Sequence, residues 1–185
     1  YNVAVGFDAL GDADGSNNVA VGNDALKLNT TGGNNVAMGI NALDANTTGG
    51  QNTAIGGFAL DDNTTGANNT ALGHQSLDAN TTGNNNVAIG YNALTASTTA
   101  HDNTAIGFKA LTANTTGHSN VGVGASALTA NTTGAGSVAI GAFCLDTNTT
   151  GQSNVAVGFY AMKANTTASN KAALGDSALR FNTTG

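Results

Sequence analysis

The side chains able to do chemistry are few and scattered. The chain has 3 His (His74, His101, His118), one Cys (Cys144) and 11 acids, all of them Asp. With no Glu, and with no His in a motif beside an activated Ser or Cys, the residue types of acid–base or nucleophilic catalysis are not assembled, and an enzyme is not expected. His101 and His118 stand 17 residues apart and could offer two nitrogens to a transition metal. Such a site wants a third ligand, and a repeated solvated turn position explains the pair as well. Gly11-Asp12-Ala13-Asp14-Gly15 has the look of a calcium loop but lacks the distant bidentate Glu, so the competing reading is a shortened turn. No metal and no cofactor is expected. The triplet Asn-Thr-Thr spells the N-glycosylation acceptor at Asn46, Asn63, Asn80 and Asn114, among others. The competing reading is a turn-forming Asn. Cys144 reads as a small buried residue.

Composition narrows the partners. Five Lys and Arg against 11 Asp give a net charge of -6 with no basic run, which argues against nucleic acid. Apolar runs of four or five residues are well short of the ~20 that a bilayer demands, so no membrane contact by this segment is expected. One Cys makes no intrachain disulfide. The chain has 27 Asn, 27 Thr and 26 Gly among 185 residues, no Pro and only 9% charge, which is not the composition of a conventional one-core domain.

Periodicity supplies the order that composition lacks. Gly6, Gly22, Gly39, Gly56, Gly73, Gly90, Gly107, Gly124, Gly141, Gly158 and Gly175 recur every 17 residues after a first interval of 16. The chain is eleven copies of one unit. Its positions, numbered one to seventeen, run from Gln51 through Asn52, Thr53, Ala54, Ile55, Gly56, Ala59, Leu60, Asn63, Thr64, Thr65 and Gly66 to Ala67. A period of 17 is too short for a helical hairpin and suits one coil of a parallel β-solenoid. Alternating β-branched residues closed by Gly predict a short strand at positions three to five. The Ala-Leu pair predicts a second, weaker strand or a bend, and Asn-Thr-Thr-Gly a closing turn. Residues 1–185 read as one all-β repeat domain, an uncapped excerpt of a longer fibre, with an irregular first coil at 1–16.

Coils ~4.8 Å apart convert every position into a ladder. The predicted structural ladders are those of Asn52, Ala54, Ile55, Gly56, Ala59, Leu60, Asn63, Thr64, Thr65, Gly66 and their equivalents. Positions three and five (Val36 and Met38, Thr53 and Ile55) face one way and Ala at position four the other. Both faces are uncharged, and self-association is the economical way to bury the second. Positions seven and eight vary and carry Phe58, Tyr91, Phe108, Phe143, Phe159 and Tyr160. These aromatics offer platforms for sugars or partner proteins, or fill the groove between neighbouring chains.

Asn-Val-Ala-Ile-Gly at 86–90, Asn-Thr-Ala-Ile-Gly at 103–107 and Ser-Val-Ala-Ile-Gly at 137–141 are similar to the head repeats of YadA-like trimeric autotransporter adhesins. The unit here is longer than the usual head repeat and adds the Asn-Thr-Thr-Gly turn. The resemblance implies a left-handed parallel β-roll of three intertwined chains, a homotrimer on a bacterial surface, with related repeats in phage tail fibres. The expected function is that of a structural extracellular or cell-surface fibre: a stiff adhesin segment that self-associates into a homotrimer or filament and meets a host-surface or matrix receptor. A phage tail-fibre segment for host contact is one alternative. An ice-binding or other regular-surface-binding solenoid is another, although the Thr47-Thr48 and Thr64-Thr65 pairs are adjacent rather than separated by one residue.

Overall fold

The computed structural model describes residues 1–11 and 14–183. Among them are eleven strands of three residues each, including β1 (Val3–Val5), β4 (Thr53–Ile55), β5 (Thr70–Leu72) and β11 (Ala172–Leu174), and no helix. All lie in one parallel sheet in strict sequence order. Register advances by one repeat per strand: Thr53 pairs with Thr70, Ala54 with Ala71 and Ile55 with Leu72. The chain is therefore a β-solenoid of 17-residue coils, with the one shortened step at β1, where Val3 pairs with Val19.

The core is thin and built from repeated small groups. Ala54, Ala59 and Leu60 and most of their equivalents are completely buried, and Asn52 and Asn63 are buried beside them. Two Asn ladders satisfy most of this buried polarity. At position two, Asn35 Oδ1 accepts from the Asn52 backbone N–H at 2.9 Å, and Asn52 Nδ2 donates to the Gly66 carbonyl at 2.8 Å. At position thirteen, Asn63 Nδ2 donates both to Asn46 Oδ1 of the preceding coil at 2.8 Å and to Gly66 O of its own turn at 3.0 Å. Each amide thus replaces the water that burial removes.

The Ala-Leu segment forms no second strand; it is a sharp bend. The reason is the backbone: Phe58 and Leu60 sit at φ 58° and 54°, and positions eight and ten are left-handed in every coil. A non-Gly residue there costs ~1–2 kcal/mol. Full burial of a Leu side chain contributes about 1.5–3 kcal/mol, which offsets the conformation that turns Leu60 inward. At position six only Gly serves: Gly56 has φ +133°, and a Cβ there would lie 2.6 Å from the Gly73 carbonyl carbon of the next coil.

Candidate interaction surface

The strands bury Ala at position four and turn positions three and five outward. Position three is half-buried along most of the sheet, whereas Met38, Ile55, Leu72, Ile106 and Ile140 at position five are 36–43% exposed. Because register is exact, these side chains form a continuous aliphatic column along the rod. Toward β11 the same face has a shallow apolar hollow lined by Val155, Val157, Ala172, Ala173 and Leu174. A contiguous apolar strip of this kind is the mark of an interaction surface.

Aromatic rings stand on the bend two to three residues after the strip. Phe58, His74, Tyr91 and Phe108 come from four consecutive coils, with successive ring centroids 5.7 Å apart. His74, Tyr91 and Phe108 are stacked with planes 11–12° apart, so their faces cover one another and their edges meet solvent. That geometry withdraws the ring faces on which a sugar would lie and leaves an apolar rim. A second cluster joins Phe143, Phe159 and Tyr160, with centroids 5.3 Å apart for Phe143 and Tyr160. Lys163 and Arg180 each lie 4.5 Å from the Tyr160 ring centre and place cationic charge against it.

The remaining sequence candidates fall elsewhere. His101 and His118 do stack, centroids 5.1 Å apart, on exposed turns. His101 Nδ1 lies 2.7 Å from Asp102 Oδ2, and that contact, with help from Asn85, holds the Asp102 carboxyl below its usual range. Among the described residues no group of three His, Cys, Asp or Glu is placed to hold a metal ion. Of the calcium-like loop, Asp12 and Ala13 lie outside the described residues. Asn46, Asn63, Asn80 and Asn114 are completely buried and their amides donate within the turn, so a sugar on any of these nitrogens is incompatible with the folded ladder. The first Thr of most triplets is likewise engaged: Thr47 Oγ1 donates to Thr64 O at 3.0 Å and Thr64 Oγ1 to Thr81 O at 2.9 Å. Thr48 and Thr65 are exposed. Cys144 is buried in the Ala ladder, its Sγ 3.2 Å from the Ala156 carbonyl.

One cluster escapes a motif search. Asp44, Asp61 and Asp78 share position eleven of three consecutive coils, a coincidence visible only once the sequence is laid out at its period. Comparison with known proteins adds no label to this geometry: no family model, no curated protein and no solved structure matches the chain.

Proposed function

We propose that the chain is a non-catalytic structural segment of an extracellular fibre, a stiff rod that associates with copies of itself through its strand face and presents a repetitive surface for attachment. The observation that carries this reading is the aliphatic column that includes Met38, Ile55, Leu72, Ile106 and Ile140, on a face that no other described residue covers. Folded proteins seldom leave so long an apolar strip open to water. Three chains about a common axis would bury the strips of all three together, and the stacked aromatic edges beside them would fill the seams. A left-handed roll in a homotrimer, as in the adhesin heads that the repeats resemble, fits that requirement, and a phage tail fibre would be the same object on a different particle. The attachment partner, a host-surface or matrix receptor, would meet the variable turns that remain outside.

Binding to ice or another regular lattice draws less support, because the first Thr of most triplets commits its hydroxyl to the next coil. Light scattering on the purified chain tests the assembly: three times the chain mass is expected, and Ile55→Lys with Ile106→Lys should yield a folded monomer. A wild-type chain that remains monomeric at high concentration would overturn the reading.

A further inference from the structure

The Asp44, Asp61 and Asp78 column lies on the bend that follows the buried Leu, outside the strands. All three residues are half-buried. Coils ~4.8 Å apart bring their carboxyls close enough for like charges to oppose one another. Little nearby offsets that opposition. Lys27 precedes Asp44 at the same position, but its Nζ lies 2.8 Å from Asp24 and 3.5 Å from Asp8 and is occupied by them. Asp62 adds a further acid beside Asp61 and Asp78, and His74 is the one other basic group that acts on Asp78.

The next three coils place a hydroxyl at this position. Thr95, Thr112 and Thr129 occupy it, and their hydroxyls donate to the carbonyls of Gln75 at 3.1 Å, Asn92 at 3.0 Å and Lys109 at 3.3 Å, each at position eight of the preceding coil. In these three coils position eleven supplies an O–H donor to the preceding coil. An ionised carboxylate has none to give, whereas a protonated carboxyl does. Asp44 Oδ1 is buried without a hydrogen-bond partner, as is Oδ1 of Asp146, which holds position eleven farther along the rod and pairs through its other oxygen with Lys163 at 3.4 Å.

We propose that Asp44, Asp61 and Asp78 form a proton clasp: in mild acid the middle carboxyl is neutral and donates its O–H as the threonines do, and its ionisation at higher pH charges the column and loosens these coils. Burial first, then Asp78, Asp44 and Asp62, pushes Asp61 from 3.8 up to about 6. Asp44 is raised by burial and Asp24 against the opposing pull of Lys27, and Asp78 by burial and Asp62 against His74. A folded value above the unfolded one means that the native state binds the extra proton. The stabilisation is complete below about pH 4 and is lost as pH rises through about 6.

Two measurements on the intact chain test the clasp. Carbon-13 NMR of the Asp side chains should show Asp61 titrating above pH 5. Amide hydrogen exchange, corrected for intrinsic rates, should show protection of residues 34–84 falling by about tenfold or more between pH 4 and 7 relative to residues 119–169. Asp61→Asn keeps a neutral donor and should abolish that fall with His74 still present; Asp61→Thr, which copies Thr95, should do the same if the amide is poorly accommodated. Titration of Asp61 below pH 5, or an unchanged pH slope in the two variants, would overturn the proposal.

Discussion

Asn80 and Ser97 occupy position thirteen of consecutive coils, both fully buried, yet no hydrogen bond joins them. Asn80 Oδ1 has no donor and Ser97 Oγ has no partner, whereas every coil from Asn46 to Asn80 passes an amide N–H to the Asn before it. The ladder restarts only beyond the gap, with Asn131 Nδ2 on Asn114 Oδ1 at 2.8 Å. A buried acceptor left without its donor costs about 1–3 kcal/mol. Ser97→Asn should therefore stabilise the chain by about that much, since the same side chain already fits the neighbouring coils. Asn63→Ser should break a second rung and lose a similar amount. Urea denaturation of the two variants decides the matter, and a Ser97→Asn chain no more stable than wild type would refute the ladder as a source of stability.

The glycines at position six separate steric from conformational cost. Gly73 and Gly175 have similar backbones, φ +134° and +125°, but a Cβ on Gly73 would lie 2.6 Å from the Gly90 oxygen, and one on Gly175 meets nothing within 4 Å. Gly175→Ala should cost only the conformational strain, about 1–3 kcal/mol and confined to the last coil. Gly73→Ala adds a backbone clash in mid-stack and should cost clearly more, with hydrogen-exchange protection lost in the coils on either side. Equal costs at the two sites would show that close coil approach does not dictate this glycine.

A period carries some structural quantities and not others. A spacing of 17 assigns every residue a position, and positions alone place Ala54 and Ile55 on opposite faces, because strand side chains alternate; the structure shows Ala54 to be the inward one. They also bring Phe58, His74, Tyr91 and Phe108 to one edge. Backbone sign is not written in residue type when the residue is Leu. Leu60 is left-handed because the coil must turn its side chain inward, a tertiary demand that local propensity opposes, and so the Ala-Leu pair is compatible with a strand until the coil is seen. The Asn-Thr-Thr triplets are ambiguous for a different reason: a glycan acceptor and a turn-forming Asn share one spelling, and burial alone separates them. The carboxyl column is present in the sequence, but its meaning depends on the Thr95, Thr112 and Thr129 hydrogen bonds beside it.

Cys144 should be chemically silent while the chain is folded. Burial pushes its thiol up to about 12, and the thiolate is the reactive form. Iodoacetamide at pH 8 should leave the native protein unlabelled and modify it fully in denaturant, as read by intact mass. Because Ala fills this position in Ala127 and Ala161 on either side, Cys144→Ala should be tolerated at a cost of less than about 1.5 kcal/mol. Labelling of the native chain at the rate of a free thiol would show that this coil opens readily.

Position eight offers a clean test of the left-handed bend, because its residue changes from coil to coil while its backbone does not. Ser126 has φ 55° and its N–H bonds the Phe108 carbonyl at 2.8 Å, while Asn41 and Asn92 hold the same conformation, both at φ 54°. Asn tolerates the left-handed region because its short side chain bonds locally, whereas a β-branched residue is a severe outlier there. Ser126→Asn should thus be neutral or stabilising by up to about 1 kcal/mol, and Ser126→Val should lose about 1–2 kcal/mol. In a chain of this length such changes move Tm by about 2–4 °C per kcal/mol, which calorimetry resolves. If the Val variant melts with or above the Asn variant, the bend does not impose the backbone geometry on which the inward Leu ladder depends.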